Sequence, residues 1–168
     1  MKYSPKNGLI LDLINLQNQP DYNLVLAQSH FIKTVEDVHE LVVNCVPGAK
    51  FGLAFNEASG PLMIRTSGTE PKLIKEAVRL AKLIGCGHLL VLVMTNVYPI
   101  NILPRLSDVP EIVSLYCATA NPVQVVVAAS QQGRGVLGVI DGGTPKGVES
   151  GQEITQRQQL LRQMGYKQ

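Results

Sequence analysis

The stretch Pro61–Gly85, PLMIRTSGTEPKLIKEAVRLAKLIG, has the pattern of a strand, a loop and a helix in that order. Leu62–Ile64 is a short apolar run, typical of a buried strand. Pro71 suits the first position of a helix, because its missing N–H would have no intrahelical partner there. Gly85 is a typical C-terminal stop. The apolar positions that recur along one helical face are Ile74, Ala77, Val78, Ala81 and Ile84.

The loop predicted between strand and helix combines residue types that bind anions. Ser, Gly and Thr residues that enter a helix offer backbone N–H groups and the positive end of the helix dipole. The Arg65 guanidinium is a planar fork that matches two phosphate oxygens. The residues predicted to complete this anion cradle are Thr66, Ser67, Gly68 and Thr69. An N-cap followed by a surface arginine is the alternative interpretation of the same residues.

Length and apolar content predict a single compact domain. The chain has 168 residues, of which 45% are hydrophobic, enough for a core without covalent cross-links. The three cysteines (Cys45, Cys86 and Cys117) form no C-x-x-C pair, so neither disulfides nor a zinc site are expected. Isolated cysteines of this kind favour a reducing, cytoplasmic environment.

Charge and aromatic content argue against two classes of partner. The net charge is only +2, aromatic residues make up 5% and Trp is absent, so the basic stripe with interleaved aromatics of a nucleic-acid binder is not expected. The longest apolar run, Leu89–Met94, is too short to cross a bilayer. We therefore expect a small-molecule partner, no nucleic acid and no membrane. The low charge also favours a homo-oligomer, because apolar surface remains to be covered.

Hydrophobic patterning predicts an α/β domain, with α+β as the other description, built from a mixed sheet and three to four helices. Helices are predicted from Thr34 as N-cap, from Pro71, near Ile100–Leu106, and from Ser150 with Glu153 completing a capping box. His88–Thr95 is unbroken in apolarity apart from its ends and is predicted to be a central strand. The other predicted strands are Leu9–Leu16, Asn23–Ile32, Lys50–Phe55, Glu111–Ala118, Val123–Ser130 and Val136–Ile140.

Polar residues collect at the predicted strand ends, where a shared cleft would form if the strands align. His30 and Lys33 lie where a strand meets a helix start, and Glu57 and Ser59 share one loop. Later turns hold Asn121, Asp141 and Lys146.

Histidine is the residue with most chemical options here, as nucleophile, base or phosphate carrier. His39 falls on an apolar helix face and is interpreted as structural or surface-exposed, while His30 and His88 stay open between core and functional roles. No histidine spacing matches a metal site. A Walker loop is missing, and the G-x-G-x-x-G letters that begin at Gly133 precede a strand, so the Rossmann geometry fails.

Several stretches of the chain together resemble the adenosine-specific kinase family. They cover most of the sequence from about Asn23 onward, and the segment from residue 1 to 22 is variable. The similar segments are Gln28–Val38, Val46–Gly60, Gly85–His88, Pro99–Leu103, Cys117–Pro122 and Gly135–Glu149.

The resemblance implies a protein that binds adenosine or AMP and carries a histidine able to hold a phosphoryl group. His88 and His30 both lie in similar segments, so either is the implied phosphohistidine, with Glu57 beside them. Ser59 and Asn121 carry over as pocket residues and Lys146 as a phosphate contact. Asn56 departs from the family's usual cysteine, and Thr69-Glu70 replaces a more usual Asn-Asp.

Two functions remain open at this point. The first is phosphoryl transfer involving adenosine or AMP through a phosphohistidine, and the second is a non-catalytic adenosine or AMP sensor. No cofactor is firmly implied, and Mg²⁺ enters only if phosphoryl transfer occurs.

Overall fold

A fully apolar strand, Leu89–Met94, forms the centre of the fold because all six of its residues are buried. The computed structural model describes residues 8–17 and 21–168. Its strands are β1 (Ile10–Leu16), β2 (Asn23–Ser29), β3 (Phe51–Asn56), β4 (Ile64–Gly68), β5 (Leu89–Met94), β6 (Ile112–Thr119), β7 (Val123–Ala129) and β8 (Arg134–Asp141). Its helices are α1 (Thr34–Cys45), α2 (Pro71–Ile84), the single-turn α3 (Leu103–Leu106) and α4 (Gly151–Gln163), and a 3₁₀ turn covers Pro99–Asn101.

The strands form two sheets rather than the one mixed sheet that the sequence predicts. One sheet has the order β4-β3-β5-β2-β6 and the other the order β1-β7-β8. Every pairing among the described strands is antiparallel. The predicted single α/β domain with three to four helices is confirmed, and its α+β description fits the antiparallel pairing best.

The five-stranded sheet is covered on both faces, as the apolarity of β5 predicts. On one face, Leu26 and Val91 pack in a cluster with α2 and with the three-stranded sheet. On the other face, Phe55 and Leu92 pack in a second cluster with α1 and α3. Side chains of one strand alternate between the two clusters, which decides the face on which each polar residue emerges.

The boundaries of the Pro61–Gly85 unit differ from the prediction. The strand is Ile64–Gly68, so Arg65, Thr66 and Ser67 lie in β4 and not in a loop. They form a strand because β3 pairs with them as a hairpin, with Phe55 opposite Arg65 and Leu53 opposite Ser67.

The helix of this unit is confirmed, with Pro71 at its start and Gly85 in the left-handed conformation at φ +65° as its stop. Its buried face is Leu73, Ala77, Leu80, Ala81 and Ile84, so the predicted Ile74 and Val78 are only half-buried at its margin.

Helix α1 begins at Thr34, one residue earlier than predicted. Lys33, and not Thr34, occupies the N-cap position, and no side chain caps the helix. Thr34 is instead buried, and its hydroxyl donates to the Phe31 carbonyl. The capping box of Ser150 and Glu153 at the start of α4 is confirmed.

Candidate functional site

The two candidate histidines lie at the same end of the five-stranded sheet. The Ser29 N–H donates to the His88 carbonyl at 2.9 Å, which places the end of β2 beside the residue preceding β5. The His88 N–H donates to the Asn56 carbonyl at 2.8 Å, which adds the end of β3. We call this end of the sheet the histidine edge; it is defined by His30, Glu57 and His88.

The outer strands extend this edge in both directions. Arg65 is paired with Phe55 near the start of β4, beside Glu57. On the other side, the His30 N–H donates to the Glu111 carbonyl at 3.0 Å, just before β6. Antiparallel pairing therefore places five residues that the sequence analysis proposed at one end of the five-stranded sheet, from Arg65 at one margin to the Lys33–Glu111 pair at the other: His30, Lys33, Glu57, Arg65 and His88.

His88 has an uncommon backbone conformation for a residue with a side chain. Its φ is +57°, in the left-handed region. The imidazole stacks on the Phe55 ring, with centroids 6.0 Å apart, on the α1 face of the sheet. The preceding Gly87 lies so close to Ala58 that an added Cβ would stand 2.9 Å from the Ala58 Cβ. The turn and the ring contact together fix the direction of the imidazole, whereas the His30 side chain is exposed beside Phe31.

Glu57 is fully engaged by its neighbours. Its carboxylate accepts a hydrogen bond from the Met63 N–H at 2.8 Å and another from Arg65 Nε at 2.8 Å. The Met63 N–H, followed by the Arg65 side chain, lowers the pKa of Glu57 below its usual value. A lowered pKa makes a carboxylate a weaker base, and the contact with Nε orients the Arg65 side chain.

Lys33 is also engaged, because its ammonium contacts two carboxylates. It forms ion pairs with Asp37 and, at 2.5 Å, with Glu111, and these bonds, that to Asp37 first, raise the pKa of Lys33. Glu111 is only 3% exposed, and its second carboxylate oxygen has no hydrogen-bond partner among residues 8–17 and 21–168. The sequence analysis missed Glu111, although an acidic residue directly before a strand, after Pro110, was visible in it.

A cavity of about 810 Å³ opens beside the histidine edge, between the two sheets. The β3–β4 turn, the end of α2, and the β7–β8 hairpin form its walls. Gly87, which directly precedes His88, lies in the wall, as does Glu57. Lys82 and Arg134 supply positive charge to the lining, and Arg134 also has a weak ion pair with Asp12 at 3.6 Å.

Within the part of the chain that the structure describes, two residues of the cavity wall have buried polar atoms without a hydrogen-bond partner. Asn56 donates from its amide nitrogen to the carbonyls of Ala81 (3.1 Å) and Cys86 (2.8 Å), so its orientation is fixed and its side-chain oxygen is left unbonded. Arg134 Nε is likewise buried without a partner. Buried polar groups are normally bonded, so an unpaired acceptor and an unpaired donor in one wall are unusual.

Arg134 is the main residue of this wall that the sequence analysis did not propose. In the sequence, the Gly133-Arg134-Gly135 triplet matches only the letters of a Rossmann pattern. The signal that could have indicated it is an arginine between two glycines, because glycine has no side chain and lets a ligand approach the backbone.

The remaining residues of the predicted anion cradle are satisfied within the protein. Ser67 Oγ bonds to His39 Nδ1 at 2.7 Å, which makes His39 structural. Thr69 Oγ1 donates to the Ala49 carbonyl at 2.6 Å, and the N–H groups of Thr69 and Glu70 both donate to the Phe51 carbonyl. Gly68 packs on β3, where an added Cβ would stand 2.5 Å from the Phe51 oxygen. The open loop that the sequence predicts is therefore a paired strand in the structure, and anion binding by these residues stays a prediction.

The later turns lie away from the histidine edge. Asp141 accepts from Thr119 Oγ1 at 2.7 Å and from Asn121 Nδ2 at 3.1 Å. Thr119 pairs with Leu24, at the opposite end of β2 from His30, so this cluster is at the far end of the sheets.

Two further residues of the predicted site are exposed. Lys146 lies in the exposed loop between β8 and α4. Ser59 is exposed in the β3–β4 turn, next to the edge.

The described part of the chain holds neither a metal-binding cluster nor a membrane-spanning helix. No cluster of three or more His, Cys, Asp or Glu side chains in it could hold a metal ion. Within residues 8–17 and 21–168, none of the helices has the length and apolarity needed to cross a membrane.

Comparison with known proteins gives one family and a close structural relative. The family model described as adenosine specific kinase matches residues 14–167. The crystal structure of the PH1918 protein from Pyrococcus horikoshii OT3 is similar, with a TM-score of 0.90 and 35% sequence identity over 95% of this chain and 99% of that chain. A comparison with curated proteins found no match.

Proposed function

The chain belongs to the adenosine-specific kinase family, and on that premise we propose that it binds adenosine or AMP in the cavity beside the histidine edge. The family supports an adenosine-related function. The single observation that carries the location is the cavity itself, because Glu57 and Gly87 at the histidine edge line it and its volume falls in the range of small-molecule sites, about 300–1,000 Å³.

The polar groups of the cavity match a nucleotide. Arg134 and Lys82 favour an anion, and a guanidinium offers the paired N–H geometry that phosphate oxygens accept. The unpaired oxygen of Asn56 accepts a hydrogen bond, which a base amine or a ribose hydroxyl supplies. The glycine-rich segments on both walls allow the ligand to approach the backbone.

Phosphoryl transfer through a histidine is the activity that we propose for this site. An imidazole nitrogen attacks the phosphorus of a phosphoanhydride donor, the P–O bond to the leaving group breaks, and the ring proton passes to solvent. The phosphoryl group then moves from the histidine to an acceptor hydroxyl, with Arg65 placed by Glu57 to stabilise the equatorial oxygens. His88 suits this role because stacking on Phe55 holds its ring in place. The ring lies on the α1 face, so a phosphoryl group would have to reach it around the histidine edge from the cavity on the other face. His30 is the second candidate.

A non-catalytic adenosine or AMP sensor is the competing function. The observation that favours it is the pairing of Lys33 and Arg65 with carboxylates, because a paired cation stabilises a transferring phosphoryl group less than a free one. In that case the cavity would bind the ligand without turnover.

Phosphorus NMR tests the two functions. Wild type, His88→Ala and His30→Ala are each incubated with ATP, with and without Mg²⁺, and a phosphoramidate signal is sought. We expect wild type and His30→Ala to show the signal and His88→Ala to lose it. Calorimetry with adenosine and AMP is done on the same samples, since tight binding without any phosphoramidate in wild type would favour the sensor and contradict phosphoryl transfer.

A further inference from the structure

His88 has a backbone conformation that a residue with a side chain adopts only at a cost. Its φ of +57° lies in the left-handed region, where the Cβ comes close to the carbonyl oxygen that follows it. Residues of this kind persist only where the surrounding structure holds them in place. The contacts around His88 therefore decide whether its imidazole keeps one position.

The segment that leads into His88 has little side chain of its own to order it. It consists of Gly85–His88, between α2 and β5, and we call it the α2–β5 turn. Gly85 ends α2 in the left-handed conformation, and Gly87 lies against Ala58. Because glycine is conformationally permissive, this turn needs contacts with the neighbouring strands to be fixed.

Asn56, the last residue of β3, bonds to the α2–β5 turn through both its backbone and its side chain. Its carbonyl accepts a hydrogen bond from the His88 N–H at 2.8 Å. Its Nδ2 donates to the Cys86 carbonyl at 2.8 Å and to the Ala81 carbonyl at 3.1 Å. One residue thus contacts the last turn of α2, the middle of the α2–β5 turn and His88 itself.

The side-chain bond to Cys86 bears directly on the conformation of His88. The chain after His88 is fixed by β2, because Leu89 pairs with Gln28 and the Ser29 N–H donates to the His88 carbonyl. The chain before His88 is fixed by the bond from Asn56 Nδ2 to Cys86. Since φ is the rotation between these two parts of the chain, holding both of them sets its value.

The bond to Ala81 indicates a second role for Asn56, the capping of α2. The Gly85 N–H, however, already donates to the Ala81 carbonyl at 2.9 Å, so the backbone itself makes the cap. Of the two bonds from Asn56 Nδ2, the one to Ala81 is also the longer. The main contribution of this side chain is therefore to the α2–β5 turn.

Phe55 and Asn56 hold the His88 region from opposite faces of the sheet, because consecutive residues of a strand point to opposite faces. The Phe55 ring stacks on the His88 imidazole on the α1 face, with centroids 6.0 Å apart. Asn56 lies in the wall of the cavity on the other face. Asn56 is 7% exposed and Cys86 2% exposed, so the bond between them is shielded from water.

We infer that Asn56 is a positioning residue for His88. Its side chain holds the α2–β5 turn so that the imidazole stays stacked on Phe55. The inference rests on the proposed function, in which His88 carries the phosphoryl group, and Asn56 acts on that transfer through His88. Asn56 also connects the two faces of the sheet, because the cavity borders it on one face and the imidazole that it positions lies on the other.

NMR of ligand-free Asn56→Leu tests this inference. Leucine has a similar size and no donor, so the Cys86 carbonyl loses the bond from Asn56. We expect the nuclear Overhauser effect between the His88 and Phe55 ring protons to be present in wild type and lost in the variant. The His88 amide should exchange with solvent at least about tenfold faster. Phosphoramidate formation with ATP should fall at least about tenfold.

Asn23→Leu is the matched control. Asn23 is also buried, at 6% exposed, and its Nδ2 donates to the Val97 carbonyl at 2.9 Å. It begins β2 and so lies at the opposite end of the five-stranded sheet from His88. This variant loses the same kind of bond, and we expect the wild-type ring contact, His88 exchange and phosphoramidate. Equal changes in the two variants would reflect a general loss of stability and would overturn the inference.

Asn56→Ser is a second variant, which decides the question if Asn56→Leu does not fold. Its hydroxyl is small and polar but one bond shorter than the asparagine amide, so it cannot bond to both Ala81 and Cys86. We expect a folded protein with a weakened ring contact and faster His88 exchange.

A folded Asn56 variant of either kind with the wild-type ring contact and His88 exchange would overturn the inference. Unchanged phosphoramidate formation in a variant that has lost the ring contact would also overturn it. Absence of phosphoramidate in wild type contradicts only the proposed transfer, because the ring contact and the amide exchange are measured without ligand or turnover.

Discussion

Gly52 lies in β3 where α2 crosses it, and no side chain fits there. An added Cβ would stand 2.1 Å from the Ile74 nitrogen and 2.2 Å from the Leu73 carbonyl carbon. Because both atoms belong to helix backbone, the helix would have to move away from the sheet. We expect Gly52→Ala to lower the free energy of unfolding by about 3 kcal/mol, measured by urea titration.

The matched control for this substitution is Gly143→Ala. Nothing lies within 4 Å of a Cβ at that position. Its unfolding free energy should change by less than about 0.5 kcal/mol. Equal losses in the two variants would contradict the close approach of α2 to β3.

Glu57 gives a residue-scale prediction on pH. Its folded-state pKa lies below the usual 4.5, chiefly because of the Met63 N–H. A depressed carboxylate pKa contributes stability that is complete above the unfolded-state value and is lost as the pH falls through the folded-state value. We expect the thermal midpoint of wild type to decrease as the pH is lowered below about 4.5. The decrease should be smaller in Glu57→Gln.

Thermal unfolding of both proteins across the acid range measures the difference. Glu40→Gln, an exposed change on α1, is the control and should follow wild type. Glu149 and Glu153 also have lowered pKa values. The pH dependence of the thermal midpoint should therefore be weaker in Glu57→Gln but still present. Parallel curves for wild type and Glu57→Gln would be inconsistent with the carboxylate geometry.

Individual residues of the site could be predicted only where their chemistry was local. His30, Lys33 and Glu57 stand out in sequence because they interrupt apolar runs at strand ends. Arg134 and Glu111 could not be assigned, since their surroundings come from remote parts of the chain. The neighbour of Arg134 at the end of α2, Gly85, is far away in sequence, as is the partner of Glu111, Lys33.

At the scale of elements, one side-chain bond connects α1 to β4. His39 Nδ1 and Ser67 Oγ are 2.7 Å apart, and the His39 ring makes an edge contact with Phe51. We expect Ser67→Ala to lower the free energy of unfolding by about 1 kcal/mol and to leave the AMP affinity unchanged. A double-mutant cycle with His39→Ala isolates the bond.

Thr66→Ala on the same strand is the control, because Thr66 is exposed. It should leave the unfolding free energy near the wild-type value. A large loss of AMP affinity in Ser67→Ala would instead restore the anion-binding role that the sequence assigned to this serine.

The boundary of β4 shows what local sequence cannot decide. Arg65, Thr66 and Ser67 have loop-like composition, yet they are paired along their length with β3. Because side chains alternate along a strand, Arg65 and Ser67 lie on the α1 side of the sheet and Thr66 lies on the opposite side. Helix α2 was predictable because an amphipathic pattern, a first-turn proline and a terminal glycine all agreed.

At the scale of the whole molecule, the cavity between the sheets predicts that AMP stabilises the fold through Arg134. Arg134→Met keeps an apolar chain and removes the charge, so we expect the dissociation constant for AMP to rise at least about tenfold. The AMP-induced increase in thermal midpoint should shrink accordingly. Calorimetry and thermal unfolding measure the two effects.

Arg105→Met is the matched control, an exposed arginine on α3 remote from the cavity. It should bind AMP as wild type does. An Arg134→Met protein with unchanged affinity would place the nucleotide elsewhere.

The arrangement of the strands into two sheets lay beyond the sequence. Composition identified most strands and the central position of Leu89–Met94, but partner choice depends on contacts between distant segments. Thus β7 follows β6 after a short turn and still pairs with β1, more than a hundred residues away. For the same reason, the sequence did not show that the turns with Asn121 and Asp141 lie away from the histidine edge.

Among the described strands, no backbone ladder joins the two sheets, and the side-chain hydrogen bond from Thr119 to Asp141 links them at the end away from the histidine edge. Elsewhere the described parts of the two sheets are held together by a close-packed apolar layer, in which Val125 and Leu26 both lie. A nucleotide that spans the cavity would contact both sheets, so its binding depends on the spacing that this apolar layer sets. Val125→Ile would therefore change the affinity for the nucleotide, although Val125 is buried and does not line the cavity.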